Sequence, residues 1–427
     1  MKKKYALVGT GGRSRLYHEA IFTTYKDTSE LVALCDLSQT RMDYTNKIIE
    51  EEYKGNKLPT YNYTEFDKMI KETKPDCVIV TTIDRTHHTY IIRAMELGCD
   101  VITEKPLTVD ENKAQEILDA QKRTGKNIRV TFNYRYSPSH TKVKEILSQG
   151  IIGDIFSVHF EWLLNINHGA DYYRRWHRNK TNSGGLLVHK STHHFDLVNF
   201  WINQTPQSVF AYGERNFYGK ENAEKRGETN FKYRDYGHDN SNDPFSIDLE
   251  NNPTLKGLYL EAEKDSGYIR DRSVFGDDIS IEDTMGVLVQ YDKKAILTYS
   301  LNSYMPWEGF NVAFNGSKGR IEYKVIENSY INAGGEKVNE GAQKKVEILV
   351  RPMFGKPYYV DFVPGIGGHG GGDNAMLDDI FSLNPPYDKF HRAAGVIDGC
   401  KSILVGIAAN KSIASGLKIN IKDLIRF

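Results

Sequence analysis

Several groups of residues in this chain have types and spacings that could do chemistry, and the first pairs a glycine turn with a distant carboxylate. Tyr5-Ala-Leu-Val-Gly-Thr-Gly-Gly-Arg-Ser14 is an apolar run that breaks at Gly9, Gly11 and Gly12, and a second apolar run, Leu31-Val-Ala-Leu-Cys-Asp36, ends in an acid. Glycines allow a sharp turn whose N–H groups approach a pyrophosphate. The following helix N-terminus holds the anion, and an acid at the end of the next strand takes the ribose diol. Gly9, Gly11 and Asp36 occupy those places, and Ser14 stands where a third glycine is usual. The pattern predicts a dinucleotide site. A carboxylate at Asp36 would repel a 2′-phosphate, which favours NAD over NADP, although Arg41 lies near enough to accommodate that phosphate.

The other groups lie in the second half of the chain's first two hundred residues and near its end. His189 and His193 are spaced like the ligands of a zinc-binding HExxH helix, but the place of the glutamate is taken by Lys190, a donor only. Two pocket histidines on one helical face are expected, and no metal. Asp171-Tyr-Tyr-Arg-Arg-Trp-His177 offers flat aromatic faces and bidentate donors, so Arg174, Trp176 and His177 suit a sugar ring and its hydroxyls. Gly365-Ile-Gly-Gly-His-Gly-Gly-Gly-Asp373 holds His369 on a glycine turn, with Asp373 as the expected N-cap of a helix. Tyr268-Ile-Arg-Asp271 reads as structural.

These residues need elements to position them. Up to Phe132, short apolar runs (7–9, 32–36, 77–81, 101–103, 129–132) alternate with helical patterns (13–24, 41–52, 63–71, 89–97, 110–124), which predicts a doubly wound parallel sheet. Beyond Tyr134 the runs become longer and alternate apolar with polar: 155–162, 285–291, 294–301, 310–314, 320–324 and 345–350. Helical patterns at 192–201, 373–382 and 393–414 accompany them. The fold expected is α/β: a Rossmann domain over residues 1–133, and over 134–427 an α+β domain with a large open, mostly antiparallel sheet. Residues 216–283 form a polar, tyrosine-containing insert, the kind of long loop that acts as a lid, a substrate wall or an oligomer arm. Helices on one face only leave the other sheet face to be covered, so a homo-oligomer, dimer or tetramer, is expected.

Composition narrows the function. Lys+Arg and Asp+Glu both number 56, so no net field draws nucleic acid or an anionic membrane surface. The N-terminal apolar run is too short for a signal segment or a membrane span, and a cytoplasmic protein is expected. Cys35, Cys77, Cys99 and Cys400 are scattered and read as buried small hydrophobes.

Glu104-Lys105-Pro106 follows the apolar Asp100-Val-Ile-Thr103, and with it the chain resembles the glucose-fructose oxidoreductase, inositol dehydrogenase and MocA family. Thr82-Ile-Asp-Arg-Thr-His87, Gly98 and Gly184-Gly-Leu-Leu-Val-His-Lys-Ser-Thr-His-His-Phe-Asp196 support the resemblance, which spans essentially the whole chain. It implies that Gly9, Gly11, Gly12, Arg13, Ser14, Asp36, Thr82, His87, Glu104 and Lys105 hold the nucleotide. It implies further that Lys105 reaches the hydroxyl to be oxidised and that His193 is the general acid/base, with Arg174, Trp176, His177, His189 and His369 around the substrate. A histidine titrates near neutrality and can take a hydroxyl proton, while a lysine ammonium stabilises the oxygen as it gains alkoxide character. His189 departs from the family, which often has an aspartate there. An acceptor-rich or anionic substrate group is one consequence, selected by His189 and Lys190.

The reading is an NAD-dependent oxidoreductase acting on a secondary hydroxyl of a sugar, sugar acid, glycoside or polyol. The alternatives are a redox-neutral hydrolase or epimerase working through a transient keto-sugar, and a non-catalytic sugar or nucleotide sensor.

Overall fold

A computed structural model describes residues 2–332 and 340–427. Its first sheet has six strands: β1 (Lys3–Val8), β2 (Ser29–Asp36), β3 (Thr60–Asn62), β4 (Cys77–Val80), β5 (Asp100–Thr103) and β6 (Ile128–Val130). All pairs in it are parallel and the order is β3-β2-β1-β4-β5-β6. Every residue of Cys77-Val-Ile-Val80 is buried, as expected of a parallel strand covered on both faces. The strand order reverses between β1 and β4, and a crevice opens there beyond the carboxyl ends of the strands. Gly9 and Thr82 stand on its two sides.

The second sheet has nine strands: β7 (Ile155–Asn165), β8 (Pro206–Glu214), β9 (Thr284–Tyr291), β10 (Ile296–Met305), β11 (Glu308–Gly316), β12 (Gly319–Glu327), β13 (Gln343–Pro352), β14 (Tyr358–Tyr359) and β15 (Ile419–Asn420). The order is β14-β13-β12-β11-β7-β10-β9-β8-β15, antiparallel except for the central β7–β10 pair. Helices Pro138–Ser148, Thr192–Ile202 and Val396–Ser415 pack on one another and on this sheet's inner face. One hydrophobic core runs continuously through both sheets.

Several elements differ from the expectation, among them the short β14 and β15 and helix Pro138–Ser148. β3 and β8 were not anticipated: β3 is three residues long, and β8 begins with Pro206 and carries the polar Gln207 and Ser208. The segment after β7 folds into helix Ile166–Arg174, capped by the Asn165 side chain, where a loop was expected. The apolar residues of β9 and β10 also face differently. Val287, Val289, Tyr291, Leu297, Tyr299 and Leu301 are buried under the helices, so they do not lie on the open face. The strands' period of two puts His159, Glu161, Thr298, Asn311, Arg320 and Glu322 outside instead, with Tyr212, Leu288 and Ile296 exposed beside them.

Candidate functional site

A cavity of about 680 Å³ opens at the strand-order reversal and continues beneath the second sheet's helices. Gly9, Gly11, Gly12, Arg13, Asp36, Thr82, His87, Glu104 and Lys105 line its nucleotide end. Gly9 has φ +90°, and a Cβ there would lie 2.6 Å from the Thr82 amide nitrogen, so only glycine fits between β1 and β4. A Cβ at Gly11 would meet nothing, leaving its flank open to a ligand. Asp36 is buried; its Oδ2 accepts from the Thr10 N–H (2.5 Å) and hydroxyl (3.0 Å), its Oδ1 from the Ser38 N–H (2.8 Å). Oδ1 keeps one acceptor site for a ribose hydroxyl. The turn, the open flank and this acid fit a dinucleotide.

Ser14 is turned inward, its hydroxyl donating to the Gly11 carbonyl at 2.7 Å, and does not line the cavity. Its role is to close the turn. Arg13 Nε donates to Glu104 at 2.7 Å, and the Tyr17 hydroxyl donates to the same oxygen at 2.6 Å. Burial works against that carboxylate, yet Arg13 and Tyr17 hold its pKa below the ordinary value. His87 spans the Pro106 and Thr82 carbonyls at 2.8 and 3.1 Å, tying the loop after β4 to the Glu-Lys-Pro turn.

Lys105 extends from the end of β5 to the middle of the cavity, where its Nζ donates to the His189 carbonyl at 3.1 Å. Burial, with Lys190 and Arg13 nearby, pushes its pKa down to about 8 against the pull of Asp84. The Gly184-Gly185 pair, at φ +70° and +76°, ends one short helix and starts Leu186–His189. Gly406 of the long C-terminal helix faces the Leu187 carbonyl so closely that no Cβ fits, which seats the His189 turn against the core. His193 follows on the first turn of Thr192–Ile202, stacked on Tyr134 with centroids 4.6 Å apart. Its Nδ1 is buried with no hydrogen-bond partner among the described residues. Burial and the nearby Lys105 and Lys190 ammonium groups press its pKa well down, so it is a neutral imidazole.

An aspartate from another element meets His189. Asp84, in the loop after β4, lies 2.5 Å from His189 Nδ1. Burial raises the pKa of Asp84 and lowers that of His189, so the pair shares one proton and is net neutral. His177 packs edge-on against His189 at 4.2 Å and stacks on Trp176 at 3.6 Å, and all three line the cavity. His369 reaches it from the glycine turn. Its Nδ1 pairs with Asp373 at 2.8 Å. Although burial opposes it, His369 and Arg13 keep Asp373 far below the carboxylate range. Asp373 is not the helix N-cap: Gly371 caps Gly372–Phe381, and Asp373 also accepts from the Asn133 amide at 2.6 Å.

Arg174 points elsewhere. Its guanidinium donates to the Phe245 carbonyl in the insert, and its neighbour Arg175 lines the cavity instead. A helix turns successive side chains about 100° apart, so a run of two arginines could not show which one faces inward. The insert supplies what sequence reasoning missed. Tyr259, Ser266 and Tyr268 line the nucleotide end, and the Gly12 N–H donates to the Tyr259 hydroxyl at 3.3 Å. Asp265 accepts from the Ser38 hydroxyl at 2.6 Å and the Thr40 N–H at 2.9 Å. Arg41 Nε donates to the Leu258 carbonyl at 2.9 Å. Tyr268 is therefore a wall of the site as well as a structural residue.

Residues 3–132 match the family description "Oxidoreductase family, NAD-binding Rossmann fold", and residues 144–421 match "Oxidoreductase family, C-terminal alpha/beta domain". The chain belongs to the Gfo/Idh/MocA oxidoreductase family. Among its Gfo/Idh/MocA relatives is the Bacillus subtilis protein named "Putative oxidoreductase YteT", 37% identical over 86% of either chain. D-glucoside 3-dehydrogenase of Escherichia coli is 30% identical over 36% of this chain and 41% of its own length. Of solved structures, aldose-aldose oxidoreductase from Caulobacter crescentus shares the fold, with TM-score 0.62, 16% identity and coverage of 98% and 100%. Among the described residues, no helix is long and apolar enough to cross a membrane.

Proposed function

We propose that this family member is a cytosolic NAD-dependent oxidoreductase that oxidises a secondary hydroxyl of a carbohydrate. The observation that carries the proposal is the convergence of Lys105 and His193 on the cavity that Gly9, Gly12 and Asp36 also line. Bound NAD would supply a hydride acceptor. Lys105 would hold the substrate oxygen as it gains negative charge, and His193, neutral and stacked on Tyr134, would take the hydroxyl proton. Trp176, His177, His189 and His369 would orient the sugar ring.

Asp36 and Asp265 together support NAD over NADP. The Ser38 hydroxyl and Thr40 N–H are donors next to the ribose acid, where an extra phosphate would seek partners, and both already serve the Asp265 carboxylate. Arg41, the residue that could favour NADP, gives its Nε to Leu258.

A second reading is favoured by the Asp84–His189 pair. A ketone acidifies its neighbouring C–H, and redox-neutral cleavage or epimerisation needs a further base for that proton. His189 has a carboxyl partner and lines the same cavity as His193. Absorbance of NADH during turnover distinguishes the two: stoichiometric NADH is expected for net oxidation, whereas product without NADH establishes the redox-neutral route. Absence of turnover with every sugar in a broad panel would remove both and leave a sensor.

A further inference from the structure

Lys190 is the residue the proposed chemistry does not use. It is 4% exposed and lines the cavity beside His193. Its ammonium sits 4.6 Å over the Trp162 ring, and among the described residues no acceptor bonds it. An ammonium has three donors, and burying them unpaired costs far more than burying an apolar group. The nearby acids act on the ammonium through space and accept no hydrogen bond from it. Glu308 accepts from His168 Nδ1 at 2.8 Å and the Asn165 N–H at 2.7 Å. Burial pushes the pKa of Glu327 up and that of Lys190 down, each charge working against the other's shift. Lys105 adds a second cation, and the surrounding imidazoles of His177, His189 and His193 are neutral.

We infer that the Lys190 ammonium is a carboxylate subsite, and that the substrate sugar is a uronic acid or uronide. The donor set at Lys190 selects the anion. A single ammonium with unused donors beside neutral imidazoles suits a carboxylate, whereas a phosphate would want a guanidinium fork or a row of backbone N–H groups at the same point. The Trp162 indole under the ammonium leaves its other side to the ligand and tolerates the cation when the ligand is absent. The inference rests on the carbohydrate reading only in taking the occupant to be a sugar.

Calorimetry on NADH-loaded protein with pairs of methyl hexosides and methyl hexuronides (gluco, galacto, manno) tests it without requiring turnover. At least one uronide should bind about tenfold or more tightly than its neutral twin, the scale expected when a buried charge gains a partner. In Lys190→Met that preference should fall to within about twofold, and in Lys190→Arg, which keeps the charge, part of it should survive. Equal or better binding of the neutral sugars, or no uronide binding at all, overturns the subsite. Tighter binding of the corresponding sugar 6-sulfate overturns the choice of carboxylate. A Lys190-dependent uronide preference without any keto product would keep this inference and sink the redox reading.

Discussion

At the scale of single residues, the proposed function separates groups expected to act on substrate from groups expected to choose the cofactor. Lys105→Ala and His193→Ala are each expected to cut turnover about a hundredfold or more, the usual cost of losing an acid/base or electrostatic group, with NAD affinity little changed. Steady-state rates beside NAD titrations check this, and near wild-type turnover in either variant ends the corresponding role. Asp265→Ala should act on the other side. It frees the Ser38 and Thr40 donors and removes a negative charge, so NADP affinity should rise about tenfold or more while NAD affinity moves little. Unchanged NADP binding would leave discrimination to Asp36 alone. The two halves of this machinery were unequally legible. Gly9, Asp36, Lys105 and His193 stand in local patterns a single sequence carries, whereas Asp265 is 225 residues from Thr40 and has no motif.

At the scale of elements, the segment 177–194 brings four buried imidazoles together: His177, His189, His193 and His194. Burial lowers the pKa of each, and it brings that of nearby His140 from 6.5 down to about 4. In the unfolded chain these groups take up protons near 6.5, while in the folded protein they do not. Between those values the unfolded state binds more protons, so stability falls as the pH falls, by about 1.4 kcal/mol per unit for each group. Asp84, Asp196, Asp235 and Glu327, all raised by burial, work in the opposite direction and are outnumbered once His87 and His168, also lowered by burial, join the five imidazoles. The melting temperature should therefore drop from pH 7 to pH 5, and a flat profile would show that the imidazoles are hydrated. Element types were readable where one period dominates, as in the buried β4 or the alternating β9. They were not readable at β8, whose polar outer residues hide the pattern, nor in the Arg174–Arg175 pair, where the facing residue depends on where the helix starts.

At the scale of the whole molecule, the polar outer face of the nine-stranded sheet changes the argument for assembly. Its covering need comes from the exposed Tyr212, Leu288 and Ile296 and not from the strands' inner residues. A two-fold pairing of identical faces would bury them. Light scattering should give a mass above the 48.7 kDa of one chain, and a monomer at micromolar concentration refutes the pairing. The insert carries a different consequence. Ile247, Leu249, Leu255, Leu258 and Tyr259 form a small core of their own, with Tyr44 of the Rossmann helix packed against it. Tyr259 also reaches the Gly12 amide, which ties this small core to the turn where a dinucleotide is expected to sit. Leu255→Ala, which removes buried apolar volume worth about 2–5 kcal/mol, should thus speed NADH release in stopped-flow fluorescence, and an unchanged off-rate would show another exit. Leu255 itself does not line the cavity. A faster release in this variant would make the melting of a hydrophobic cluster mostly out of the nucleotide's reach the step that sets its residence time, and cofactor exchange a clock for local unfolding.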